Sequence, residues 1–481
     1  MGISKERLQH LSWRAGFGQI ESSEEPNLRK LIRSLIHQNC SKIDTIVTAQ
    51  SREILQNDYT YRQIKADAAL KKDIAKTNRE GIKNLNILWL QEMFKTDKPL
   101  REKMSLFWHG HFACRVQNIS HQEKLLQIIR ENALGNFGDL LSAVSKSASM
   151  LQFLNNQQNK KQHANENFGR EVMELFTMGR GNYTEKDVKE GSRAFTGWAF
   201  DKNGDFIFRQ KVHDDGKKTF LGKTGNFDGD DILKMLLEHK ATAHHITEKI
   251  YKFVVNDTPD ENIIAPLAEK FYQSNYHIGN LLENIFCSDW FYDKKNIGAR
   301  IKSPIELIVG MERTIPATFA NDNALLLFQR TLGQVLFYPP NVAGWPGGKD
   351  WIDSSTLLFR MRLPQIMYAS EEFNIRPKAM PEEMDNSYTS GNIHDDLQKT
   401  YMVRNYKNKV RSTPDWDPFL KRFANESVDQ LPKVVADTLL VNLPQTVNNS
   451  LLEKYAVAYN HPTEIKKMAV NLMCTPEYQL C

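Results

Sequence analysis

Apolar residues recur at helical spacing over most of this chain, and that periodicity constrains its fold more than any other feature. In "NLRKLIRSLIHQ", Leu28, Leu31, Ile32, Leu35 and Ile36 fall on one stripe. The pattern continues through "GIKNLNILWLQEMF" and "PLREKMSLFWHGHFACR", where Pro99 can open a helix because its missing N–H costs little there. "HQEKLLQIIRENALGNFGDLLSAVSKSASMLQFL" predicts two helices broken near Gly135. "NENFGREVMELFTMG" predicts one helix ended by Gly179 or Gly181. Thr184 and Asp187 have capping-box spacing ahead of a helix over "EKDVKEGSRAFTGWAF". Asp230 is the expected N-cap of a later helix, and Pro304 lies near the start of another, "SPIELIVGMER".

One stretch departs from the helical period. "GDFIFRQKVHDDGKKTFLG" reads as two short strands flanking "DDGK", with Gly216 supplying a positive φ in the turn. The expected fold class is therefore mainly α, a large multi-helical module with one short β-hairpin near residues 205–221. Residues 1–370 form the main module in this reading, and 371–400 are a polar linker or excursion. Residues 401–481 are a C-terminal helical part of the same module.

A chain of 481 residues with 41% hydrophobic and 25% charged side chains can bury a substantial core. Its net charge of +5 carries no concentrated basic stripe interleaved with aromatics, so nucleic acid is not an expected partner. No apolar run reaches the length of a membrane span. The five cysteines are scattered and form no CxxC, which fits a reducing compartment better than a disulfide framework. The N-terminus lacks an apolar signal region, so the sequence as given reads as cytoplasmic.

Four groups of residues could carry chemistry. "LFWHGHFACR" sets His109 and His111 around Gly110 as candidate metal ligands. An HxH pair chelates well on a strand, but on a helix the two imidazoles lie about 200° apart and diverge. A helix ending at Gly110 would let His111 bend back; otherwise each ring finds its own hydrogen bond. In "HANENFGREVMEL", Glu171 lies on the edge of the apolar face, with Glu174 one turn along. A half-buried carboxylate there has its pKa raised and suits acid–base work, unless Arg193 or another arginine ties it down. Glu166 and Arg170, spaced i,i+4, read as a solvated ion pair. His213 and Asp214 on the expected hairpin make an acid–base or ligand pair, although Asp-Asp-Gly is also plain turn chemistry. "HKATAHHITEK" adds His239, with His244 and His245 read as helix-surface residues. Finally, "YPPNVAGWPGGKDW" offers Asn341, Trp345 and Trp351 as binding residues on a stiff loop. Its tryptophans could equally staple it to the core. No P-loop, GxSxG elbow or HExxH occurs.

These segments, with "LSWRAGFG", "KSPIELIVG", "WPGGKDWIDSSTLL" and the closing "CTPEYQ", stand in an order that resembles the bacterial domain of unknown function 1800 family over nearly the whole chain. The resemblance implies one extended, mainly helical module. It carries no established activity. It also implies a partner, since such genes often lie beside those of the alkaline-phosphatase-like domain of unknown function 1501. Many members are exported, and this sequence departs from them in showing no leader. His163 is a second departure, standing where proline is commoner.

The leading expectation is a site where the His109 helix, the Glu171 helix, the His213 hairpin and the Asn341–Trp351 loop converge. Glu171, His213 and Asp214 would be catalytic. His109 and His111 would hold a divalent metal as Lewis acid or water activator for hydrolysis. The alternative is a non-catalytic binding or assembly protein, with those residues as internal hydrogen bonds and the tryptophan-rich loop docking a phosphatase-like partner.

Overall fold

The computed structural model describes residues 4–18, 27–37, 44–56, 61–369, 372–373, 408–427, 430–441 and 462–481. Helices dominate them, as the periodicity predicts. The expected linker at 371–400 lies outside the described residues apart from Glu372 and Phe373, as does Cys40. Cys114, Cys287 and Cys481 are free thiols. No described helix is long and apolar enough to cross a membrane.

The apolar side chains gather into two large cores. One runs from Leu11 to Tyr292 in sequence and includes the stripe Leu31, Ile32, Leu35 and Ile36. The other joins the long helix Ala68–Lys95 to the helices Pro304–Thr314, Asn323–Leu332 and Ser354–Tyr368. The C-terminal helices Leu431–Leu439 and Pro462–Met473 complete it. The helix Pro99–His111 serves both: Leu100, Met104 and Trp108 face the first core, and Leu106 faces the second.

Several local expectations need correction. The Gly135 region breaks into three helices, Ile119–Asn132, Phe137–Ser145 and Ala148–Phe153, because Asn136 and Ser147 each cap a new start. The Thr184–Asp187 capping box is present, but its helix ends at Ala194 and Trp198–Phe200 is a strand. Asp228, not Asp230, caps the helix Gly229–Glu238. The two strands flanking "DDGK" do not pair with each other. Phe206–Phe208 pairs with Trp198–Phe200, and Lys218–Phe220 with Lys223–Gly225. Gly216 is not at positive φ; the tight turn sits at Leu221 and Gly222, at φ 46° and 78°. Small two-stranded pairings also join Ala317–Phe319 to Ser412–Pro414 and Glu372–Phe373 to Asn408–Lys409.

A buried ion cluster ties the helices together. Ser303 and Glu306 form a capping box at the start of Pro304–Thr314, and Ser303 N–H donates to Glu306 Oε2 at 2.7 Å. Oε1 of the same carboxylate lies 2.5 Å from Lys103 Nζ and 3.4 Å from Arg300. Lys103 also donates to Trp13 O at 3.0 Å, which pins the N-terminal helix Lys5–Arg14. Glu306 and Lys103 are both fully buried. Burial alone would raise the Glu306 carboxyl, but Lys103 and Arg300 hold it well below the usual carboxylate range. Glu306→Gln would leave the buried Lys103 without its paired carboxylate and Arg300 with only Asp257 at 3.9 Å, and should destabilise the fold by about 3–5 kcal/mol. Equilibrium denaturation of the variant checks this, and a loss under about 1 kcal/mol would contradict it.

Candidate functional site

The helix Pro99–His111 runs through Gly110, so His109 and His111 point to opposite sides. His109 turns toward the second core. Its Nε2 accepts the Phe337 N–H at 3.1 Å, and its ring meets Trp89, Phe337 and Trp345 at centroid distances of 5.1, 4.9 and 5.4 Å. Burial lowers the imidazole to about 3, so it stays neutral. Trp89 is held in turn by Glu102, which also accepts from Arg130.

His111 turns toward a different wall. There the helix Glu166–Glu171 passes into a π-turn at Val172–Phe176, which displaces carbonyls from the α-helical ladder. The expected single helix to Gly179 therefore ends early. His111 Nε2 lies 3.3 Å from Phe176 O, and a carbonyl only accepts, so Nε2 carries the hydrogen. Nδ1 then accepts from Lys249 Nζ at 3.3 Å, and the same amine donates to Leu175 O at 3.1 Å. Burial, then the charge of Lys249, depresses the His111 imidazole. His245, read from sequence as a surface residue, packs inward one helical turn before Lys249, with its Nε2 buried and unpartnered. Gly179 makes room for it, because a Cβ there would lie 2.9 Å from His245 Nδ1.

The remaining candidates stand apart. His213 is buried, and its Nδ1 lies 2.8 Å from Thr196 O. Asp214 holds Arg193 through two bonds of 2.7 and 3.1 Å, and these first, against burial, lower its carboxyl. Gly216 is required by that contact, since a Cβ would meet Arg193 Nη2 at 2.8 Å. Arg193 is thus committed to Asp214 and Glu190, and leaves Glu171 alone. Glu171 is half-buried; burial and then Glu174 raise its carboxyl. Glu174 itself accepts from Arg180 and Tyr183. Glu166 and Arg170 do pair, at 3.3 Å, and Glu185 joins them. His239 caps the helix Lys240–Val254, and His244 pairs with Glu261.

In the loop, Asn341 is exposed and its side chain accepts the Ala343 N–H. Trp345 is half-buried against His109, and Trp351 is buried. Gly344 lies so close to the helix that a Cβ would fall 2.3 Å from Gly110 O. The loop therefore reaches His109, but no hydrogen bond or ring contact joins His111, Glu171 and His213 among the described residues. Nor do three or more His, Cys, Asp or Glu side chains group as metal ligands among them. Helical geometry parts the two histidines, and the "DDGK" turn is held by Thr196 and Arg193.

A cavity of about 950 Å³ lies elsewhere, lined in part by Leu31, Phe94, Thr96, Glu312, Ala317 and Phe319. Glu312 is buried, accepts the Ala317 N–H through Oε2, and leaves Oε1 unpartnered. Burial raises its carboxyl to about 8.

The profile of the family described as protein of unknown function DUF1800 matches residues 10–480, and the chain belongs to that family. No curated protein matches it. No solved structure does so either.

Two outcomes follow from this geometry. Gly344→Ala places a methyl against backbone at a φ of +85° and should lower stability by about 1–3 kcal/mol, read by thermal unfolding. Glu312 binds its proton in the folded state up to about pH 8 but loses it near 4.5 when unfolded. It therefore stabilises least at high pH, and its penalty grows as pH rises from about 4.5 to about 8. Glu312→Gln should gain in urea midpoint over the wild type at pH 8 relative to pH 5. Parallel profiles would refute the buried neutral acid.

Proposed function

We propose that this member of the DUF1800 family acts by binding and assembly, presenting the loop from Pro340 to Asp350 to a protein partner. One observation carries the reading: His109, His213 and Asp214 spend hydrogen bonds on Phe337, Thr196 and Arg193 of their own fold. Residues so engaged hold a surface in place. The loop that His109 backs through Trp345 is anchored by Trp351 and the Gly344–Gly110 contact and exposes Pro340, Asn341, Lys349 and Asp350. A stiff, aromatic-backed loop binds with little ordering cost. The alkaline-phosphatase-like DUF1501 protein implied by the family resemblance is the partner we would test.

The metal-assisted hydrolase is the competing reading, and no donor arrangement among the described residues favours it. Calorimetry with the purified phosphatase-like protein separates the two. We expect a complex weakened at least tenfold, about 1.4 kcal/mol, by Lys349→Glu or Asp350→Lys, with unfolding temperature unchanged. The reading is overturned if no complex forms at micromolar concentration. It is equally overturned if elemental analysis finds one metal per chain that is lost in Glu171→Ala and His111→Ala but kept in Glu166→Ala.

A further inference from the structure

The cavity of about 950 Å³ lies where the two apolar cores meet. Leu31 and Leu35 of the first core form one side. Leu325 of the second core forms the other, with Phe94 and Phe319 packed against that core. A space of this volume is the size of a small-molecule site. Asp97, Pro316, Thr318 and Arg422 on its wall are exposed, so it opens to solvent on that side.

Most polar groups on the wall are bonded within the fold. Arg313 Nη1 donates to the carbonyls of Met93, Phe94 and Thr96. Gln91 donates to Asp322 at 3.2 Å, and Ser34 to Leu31 O at 2.7 Å. Glu312 differs. Its Oε2 accepts the Ala317 N–H at 3.1 Å, its Oε1 is buried without a partner, and no cation among the described residues compensates it. Lys95, Asp97, Asp322 and Arg422, the other charged side chains on the wall, are all exposed. Behind the carboxyl, on the helix Ser354–Tyr368, the Tyr368 hydroxyl donates to Met311 O.

Burying a carboxyl costs more than burying a hydroxyl or an amide. A neutral occupant needs only one of those from the wall, whereas a cationic head calls for a carboxyl. Phe94 and Phe319 add two rings of the kind that attract cations. An anionic head would be repelled by Glu312. The terminal torsion of a glutamate is soft, which lets Oε1 swing toward an ammonium in the cavity.

We propose that this cavity binds an amphipathic primary amine, its ammonium paired with Glu312 and its apolar chain lying among Leu31, Leu35, Phe94 and Leu325. The ammonium arrives charged, and the Glu312 proton leaves to solvent as the pair forms. Burial raises that carboxyl to about 8, against the Ala317 bond, so binding displaces a proton at pH 7 and not well above pH 8. No residue of the loop from Pro340 to Asp350 lines the cavity, so the inference stands apart from the loop-binding function.

The test is calorimetry of the full chain with n-octylamine below its micelle concentration, beside 1-octanol and octanoate as neutral and anionic counterparts. We expect saturable binding of the amine, at least tenfold tighter than the alcohol, and none of octanoate at the same concentrations. At pH 7, buffers of different ionisation enthalpy should report about one proton released per amine, and at pH 9 almost none. An alkylamine stays charged across this range, so its affinity should fall about tenfold from pH 7 to pH 6 while that of the alcohol stays level. Glu312→Gln keeps an acceptor for the Ala317 N–H and should bind octylamine no better than octanol. Equal affinity for amine and alcohol, or amine binding without proton release at pH 7, overturns the proposal on the wild type alone. Undiminished amine affinity in folded Glu312→Gln overturns it on the variant.

Discussion

Glu306 is a carboxylate surrounded by donors: a backbone N–H at its own helix start, the Lys103 ammonium and the Arg300 guanidinium. The cluster is buried, with Glu306 and Lys103 both out of contact with water. Lys103 lies on the helix that faces both cores, and through Trp13 O it also fastens the N-terminal helix. A buried charge that loses its partner costs several kcal/mol, whereas a mispacked methyl costs about one. The Lys103–Glu306 pair thus ties the helix Pro99–His111 to the helix Pro304–Thr314. His109, on the same helix as Lys103, meets the Phe337 N–H and the Trp345 ring.

What could be read in the sequence was what neighbouring residues decide among themselves. Helical periodicity, Pro99 and Pro304 at helix starts, and the Thr184–Asp187 capping box all depend on a few residues in a row. The β pairing failed for a local reason too, because its turn uses Leu221 in the left-handed region, where a leucine is not expected. Trp198–Phe200 looked helical because its strand partner lies beyond a turn braced by Asp201.

The candidate residues were legible as residue types and illegible as neighbours. His111 was found, yet its partner Lys249 lies 138 positions away, at the end of "HKATAHHITEK", where the histidines alone carried a signal. The π-turn at Val172–Phe176 cannot be seen in a helical wheel, which assumes an unbroken period of 3.6. Glu306 did have a signal. Ser303 and Glu306 in "KSPIE" have capping-box spacing, and a glutamate at that position is already desolvated on one side. Its pairing with Lys103 was still out of reach, because long-range ion pairs leave no periodicity.

The cluster also has a consequence in time. Lys103 leaves the ribosome about two hundred residues ahead of Glu306. At ordinary elongation rates of about 5–20 residues per second, that interval is roughly 10–40 s. Throughout it the helix Pro99–His111 has an apolar face ready to collapse and a lysine that cannot yet be buried. Leu106, on the face toward the second core, must likewise wait for the later helices that cover it, while Met104 and Trp108 can already pack into the first.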